Sequence, residues 1–293
     1  MREQNLLAFN LRAWRYFVGG CVMLGGSLLL AQQAWVSLQA SLPTPIWHAL
    51  QGGLLCALGT ALGALPVLFM RSVSARLMDT LLGFGGGVML AASMFSLLLP
   101  ALQAAQQQGL NAWAGGLLVS LGVVLGAGGL FWVGQRMARA ASVQPPRVDL
   151  GVLLFVLAIV LHNIPEGMAV GVAAGAQLAE AQGLALGIAL QDVPEGLVVA
   201  LALAAAGLSR WHALAFGIAS GLVEPVFAVL CAWLVGVATP LLPWGLSLAA
   251  GAMLFVVLSE IIPASRARGY EGVAGLGLLV GFCLMMVLDT ALV

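Results

Sequence analysis

The sequence contains no lysine. All eleven basic residues are arginine, and charged residues of either sign fill only 8% of its 293 positions, against 62% hydrophobic. A soluble domain carries roughly 25% charged residues, so a water-soluble globule is excluded. There is no basic block and the formal net charge is zero, which leaves nothing suited to the phosphate backbone of a nucleic acid. Cysteine is scarce: Cys21, Cys56, Cys231 and Cys283 each lie inside an apolar run, and no two form a C-x-x-C pair. That argues against structural disulfides and a thiolate metal site, and the four read as buried free thiols behaving as small hydrophobes. Histidine is scarcer still, at three, and no His-Glu-x-x-His run occurs. An intramembrane metalloprotease or di-iron oxidase would need more imidazole than this, so the chain does not read as an enzyme.

What the sequence has in quantity is apolar runs of about the length that crosses a bilayer, roughly 20 residues. There are nine: Phe17 to Trp35, His48 to Met70, Leu81 to Leu102, Trp113 to Val133, Gly151 to Ala176, Leu184 to Leu208, Leu214 to Val237, Leu241 to Ile262 and Val273 to Val293. The mean hydropathy of +1.07 agrees. Short breaks punctuate them, among them Arg71 to Asp79, Arg136 to Asp149 with Pro145 and Pro146, and Arg266 to Glu271. The reading is an all-α polytopic membrane protein, with an N-terminal segment over 1–40 holding one helix and a membrane domain over 46–293. Arg12, Arg15, the run from Phe17 and the small residues Ala31 and Ala34 also fit a cleaved signal peptide. That alternative stays open, with retention as a spanning helix the preferred reading. Among the glycines, Gly83 to Gly87 with Gly115 and Gly116 are read as sites of close helix approach, and none as a phosphate loop.

The arginines fix a topology. They fall at Arg2, Arg12 and Arg15; Arg71 and Arg76; Arg136, Arg139 and Arg147; Arg210; and Arg266 and Arg268. These are the N-terminus and every second connection after it. By the positive-inside rule the N-terminus is cytoplasmic and the C-terminus lies outside.

The acids carry the chemistry. Glu3, Asp79, Asp149, Glu180 and Glu271 fall in loops or at ends, where solvation is cheap. Glu166, Asp192, Glu195, Glu224, Glu260 and Asp289 fall inside runs. A lone carboxylate at bilayer depth costs about 2.5–3.5 kcal/mol even on lenient insertion scales, and no basic residue within the runs offsets it. Cations from outside, metal ions or protons, are the natural counter-charge.

Two runs carry near copies of one motif: His162-Asn163-Ile164-Pro165-Glu166-Gly167 and Gln191-Asp192-Val193-Pro194-Glu195-Gly196. The arginine pattern makes these helices antiparallel. At about 1.5 Å per residue, both motifs sit roughly 12–16 Å from a span end and meet near the midplane. His162 and Glu166 share a face at i and i+4, as do Gln191 and Glu195. Pro165 and Pro194 each remove a backbone donor and are expected to kink their helices and free the Leu161 and Leu190 carbonyls. Glu224, followed by Pro225, adds a third helix. Alone, His162 would read as a packing histidine and Pro-Glu-Gly as a kink; the repetition at matching depth favours a site. Imidazole with carboxylates suits borderline divalent ions such as zinc, iron, manganese, cobalt and cadmium. Glu166, Asp192, Glu195 and Glu224 together carry four negative charges, which matches two divalent ions bridged by Glu166 and Glu195. His48 and His212 fall at run ends and read as interfacial. Glu260 and Asp289 lie near membrane ends, where a hydrated structural role and a transport role are weighed equally; Gln191 and Glu260 are the candidates for a transport path. The rival is a proton- or sodium-coupled transporter of a small organic solute using the same carboxylates.

At these motifs the chain resembles the ZIP (Zrt/Irt-like) divalent metal transporters, specifically the bacterial GufA-like branch, over its last eight runs. The resemblance implies an eight-helix core in a three-plus-two-plus-three arrangement with inverted repeats and elevator-like alternating access, to which the first helix is an addition. It implies one metal at His162, Glu166 and Glu195 with Met89 nearby, and a second at Asn163, Glu166, Asp192, Glu195 and Glu224. It also implies import of zinc, with cadmium, iron and manganese as further substrates, across a bacterial inner membrane, with divalent metal ions and the lipid bilayer as partners and a homodimer among the admissible assemblies. Two departures stand out. Ser259-Glu260 replaces the His-Glu found in many relatives, and the loop from Arg136 to Asp149 has no histidine.

Overall fold

The computed structural model describes the backbone of residues 2–70, 72–143 and 148–292, with side chains described except at 2–13, 138, 140–143 and 148–159. Arg71, Pro145, Pro146 and Arg147 therefore lie outside the described residues, as do the side chains of Arg2, Arg12 and Asp149. The described chain is mostly helical: α1 Arg2–Ser41, α2 Thr44–Ala64, α3 Ala75–Ala91, α4 Leu99–Gln107, α5 Ala112–Val143, α6 Val148–Gly175, α7 Ala181–Ala205, α8 Arg210–Gly221, α9 Val223–Val237, α10 Leu242–Val256, α11 Ile262–Arg266 and α12 Glu271–Ala291. Among the described residues, eight helical stretches are long and apolar enough to cross a membrane: 14–41, 44–68, 75–107, 112–137, 181–205, 210–237, 239–266 and 271–291. The 28-residue α6 occupies the position of the remaining run. The protein is an all-α polytopic membrane protein. Residues 1–44 and 45–293 form separate compact units, and the packing below is that of the second.

Helix ends follow local chemistry. Ser74 and Ser209 cap α3 and α8 by accepting hydrogen bonds from Leu77 N and His212 N, each at 3.3 Å. Asn111 Oδ1 accepts from Ala114 N at 2.9 Å where α5 begins. Gly109 and Gly207 end α4 and α7 in the left-handed region that glycine enters without a Cβ clash.

Pro165 and Pro194, expected to kink their helices, lie inside α6 and α7, which run through both. Departures from α-helical geometry fall elsewhere. Ala92–Leu98 and Val257–Ile261 are π-helical, each just ahead of a proline, Pro100 and Pro263. A turn at Leu222 divides α8 from α9. A missing proline N–H and the bulk of its ring disturb the preceding turn, and a wider π turn accommodates this without ending the helix.

Glycine sets the helix spacing. Gly83 and Gly87 of α3 meet the carbonyls of Ala274 and Leu278 in α12, while Gly277 and Gly281 of α12 meet those of Thr80 and Phe84. Neither helix could carry a Cβ at these points without backbone displacement. Gly167, Gly171 and Gly175 of α6 seat Glu224, Ala228 and Ala232 of α9 in the same way. A Cβ on Gly115 would lie 3.4 Å from the Ala105 methyl, whereas one on Gly116 would meet nothing within 4 Å among the described residues, so the packing role expected of Gly116 is not found there.

Asp79 corrects the sequence reading. It was placed in a solvated break, but α3 begins six residues before the apolar run, and Asp79 is fully buried within it. Arg268 Nη1 pairs with its Oδ1 at 3.0 Å, and Tyr270 N donates to Oδ2 at 3.4 Å. With Arg210 Nη1 donating to Leu68 O at 2.8 Å, these contacts bring three arginine-bearing connections together at one end of the bundle. Gln108 Nε2 donating to Thr239 O at 3.1 Å ties two arginine-free connections at the other.

Candidate metal centre

Helices α6, α7 and α9 deliver the acids and α2 closes the site. The Gly after each Pro-Glu explains how they come so close. A Cβ on Gly167 would lie 2.5 Å from the Glu224 carbonyl oxygen and 2.8 Å from its Cα, and one on Gly196 would meet the Thr60 carbonyl. Each motif therefore presents its acid and, one residue later, a flat surface on which the next helix rests.

Glu166, Asp192 and Glu224 are buried, at 0%, 1% and 0% exposure, and each is held in the same manner: one oxygen hydrogen-bonded, the other free. Gln191 Nε2 donates to Glu166 Oε1 at 2.5 Å and to Asp192 Oδ1 at 2.6 Å. Asn163 Nδ2 donates to Glu224 Oε1 at 3.0 Å and to Ser220 O at 3.3 Å, and Thr60 Oγ1 donates to the same Glu224 oxygen at 3.2 Å. Glu166 Oε2, Asp192 Oδ2, Glu224 Oε2 and Asn163 Oδ1 are buried and receive no hydrogen bond among the described residues. Leaving a buried polar atom unmatched costs about 1–3 kcal/mol, more for a charged group. Four such oxygens in one place require a cation or protons. The groups that meet these carboxylates, two amides and a hydroxyl, are all neutral, and they orient the acids as outer-shell partners orient metal ligands.

Two groups of ligand atoms converge to within 4.8 Å. One is Glu166, Asp192 and Glu195; the other is Cys56, Asp192 and Glu224. Asp192 belongs to both groups, and Glu166 and Glu195, expected as the bridge, both belong to the first. Glu195 is half-buried beside Glu166. Gln191, placed on the transport path by the sequence reading, is here the clamp between two of the acids.

His162 lies on the same helix face but turns to Glu260, with Nε2 2.9 Å from Oε2; their side chains are 17% and 50% exposed. Glu260 thus stands against the imidazole of the motif, and it lies within the π turn at Val257–Ile261. Asp289 is less isolated than its position near a run end implied: Ser96 Oγ donates to Oδ1 at 2.5 Å. Met89 is buried in α3, one turn beyond Gly85, where a Cβ would lie 3.6 Å from Gln191 Oε1.

Sequence reasoning missed Cys56 and Thr60. Both lie in α2, four residues apart, on the stripe shared with Gly53, Gly59 and Gly63, and that stripe packs on α7 and α9. The i, i+3, i+4 spacing of small residues was the available signal, and it singled out a buried face without showing which helices it met.

A family model described as the ZIP zinc transporter matches residues 133–289. The chain is 41% identical over 252 residues to the zinc transporter GufA of Myxococcus xanthus, which spans 83% of this chain and 98% of that relative. It is 45% identical over 263 residues to the zinc transporter ZIPB of Bordetella bronchiseptica, spanning 84% and 82%. To the zinc transporter ZIP11 of Homo sapiens it is 32% identical over 320 aligned positions, spanning 80% and 94%.

Proposed function

The chain belongs to the ZIP zinc transporter family, and from that premise we propose that it carries divalent transition metal, zinc foremost, into the cytoplasm through the carboxylate centre between α6, α7 and α9. The observation that carries this reading is the set of unmatched buried oxygens on Glu166, Asp192, Glu224 and Asn163. Hard oxygen donors with imidazole at one edge suit zinc and its borderline neighbours, so cadmium, iron and manganese are further substrates.

The centre is binuclear in this proposal. Glu166, Asp192 and Glu195 hold one ion, with His162 at its edge and Met89 behind; Asn163, Asp192 and Glu224 hold the other. Four carboxylates balance two divalent charges, and binding displaces the protons the acids carry without metal. His162 is shared with Glu260, which is half-exposed on the same side, so the ion leaves the first position towards Glu260. The site-bearing helices move against α3 and α12 in an elevator-like step, and the glycine-locked α3–α12 pair is the rigid partner. By the positive-inside rule the arginine end faces the cytoplasm and the membrane is the bacterial inner membrane.

Uptake of zinc or cadmium into proteoliposomes tests this. Replacing His162→Ala together with Glu166→Ala abolishes uptake. Persistence of uptake in the double variant overturns the assignment. A coupled transporter of organic solute would instead be stabilised by its solute and not by metals in a thermal-shift screen.

A further inference from the structure

Cys56 entered the sequence reading as an inert small hydrophobe, and its surroundings say otherwise. Its Sγ lies within 4.8 Å of a carboxylate oxygen of Asp192 and of one from Glu224. Its own contact is a long hydrogen bond donated to Ala185 O at 3.5 Å. The residue is 1% exposed and is grouped with buried Asp192 and Glu224. The independent observation is that Asp192 Oδ2 and Glu224 Oε2 are buried and unmatched beside it. Thr60, one turn on, already reaches Glu224 from the same face of α2, and Gly53 and Gly59 hold that face against Pro225, Ala189 and Asp192.

We propose that Cys56 is a sulfur ligand of the second metal position, completing with Asp192, Glu224 and Asn163 a mixed sulfur and oxygen set that biases the transporter toward zinc and cadmium over manganese and iron. This rests on the metal-transport reading above and adds to it the residue that sets preference. Two ligands at about 2.0–2.3 Å from a common tetrahedral ion are roughly 3.3–3.7 Å apart. The atoms already lie within 4.8 Å of one another, so reaching that spacing takes at most about 1.5 Å of movement. On binding, the Sγ–H bond breaks heterolytically, the electron pair forms the Sγ–metal bond and the proton is released to water. Thiolate is the softest donor in the centre and discriminates against hard oxygen-seeking ions.

X-ray absorption at the zinc edge on the intact, zinc-loaded, detergent-purified protein tests this directly. The wild type shows a sulfur neighbour at about 2.3 Å. Cys56→Ser loses it, while Cys21→Ser, Cys231→Ser and Cys283→Ser retain it. In competition uptake, Cys56→Ser also shows a reduced preference for cadmium over manganese. Bound zinc in the wild type with an oxygen and nitrogen shell alone overturns the role of Cys56 and leaves the transport reading standing. A sulfur shell that survives in Cys56→Ser overturns it too. A wild type that takes up and binds no zinc overturns both.

Discussion

Gly167→Ala adds one methyl group and puts the site geometry to a quantitative test. The new Cβ falls 2.5 Å from the Glu224 carbonyl oxygen, 2.8 Å from its Cα and 3.1 Å from its carbonyl carbon. Ordinary contact begins near 3.4 Å, so α9 must withdraw by roughly 0.6–0.9 Å, because the obstructing atoms are backbone and have no rotamer to adopt. Overpacking of this kind costs about 1–3 kcal/mol. Glu224 is the residue displaced, and metal ligands tolerate only about 0.2 Å of misplacement. If about 1.4 kcal/mol of the cost falls on the metal-bound state, affinity drops tenfold. The assay is zinc binding by equilibrium dialysis on folded, monodisperse protein, with Gly116→Ala as the control, since that glycine meets nothing within 4 Å. We expect at least a tenfold loss for Gly167→Ala and none for Gly116→Ala. Equal affinities in the two variants would refute the claim that the Pro-Glu-Gly glycine exists to seat α9 against the site.

Three further outcomes are expected. Gln191→Ala removes the single nitrogen that orients both Glu166 and Asp192, and outer-shell losses of this type lower metal affinity about 10–100-fold; an unchanged dissociation constant would contradict it. Glu260→Ala leaves His162 without its 2.9 Å partner and slows metal uptake about tenfold or more by the same reasoning, measured as initial rate in proteoliposomes, with an unaltered rate counting against an exit toward Glu260. Asp79→Asn, distant from the metal ligands, strips charge from the pair with Arg268 and lowers stability by roughly 1–2 kcal/mol, below the full value for a buried pair because Arg268 is partly exposed; thermal unfolding in detergent reads it, and no shift in Tm would show the pair to be idle.

Much of the fold was legible because hydropathy and arginine placement are strong, local signals. Length and apolarity alone outlined the runs, and the arginines predicted which connections share an end, as the contacts of Arg210 and Arg268 then illustrate. The duplicated motif singled out α6 and α7 because buried acids without basic partners are costly wherever they occur. Partners across the bundle were less accessible. The burial of Asp79 depended on α3 starting upstream of its apolar run, where charged residues mask a helix from hydropathy. Glu260, which meets His162, lies in a π turn, and such a turn leaves no pattern in a sequence beyond the proline that follows it. Cys56 and Thr60 were hidden because a cysteine or threonine in an apolar helix looks the same whether it faces lipid, a neighbour's methyl group or a carboxylate. Pro165 and Pro194 lie inside continuous helices, as a kink at each allows.

The central claim is that Glu166, Asp192, Glu195 and Glu224 form one centre that holds two metal ions. Anomalous scattering from crystals of the intact protein soaked in zinc tests it most directly. The account predicts two peaks, one among Glu166, Asp192 and Glu195 and one beside Asp192, Glu224 and Asn163, with the second lost in Glu224→Ala. A single peak indifferent to Glu224→Ala, or zinc found only outside these helices, would contradict it.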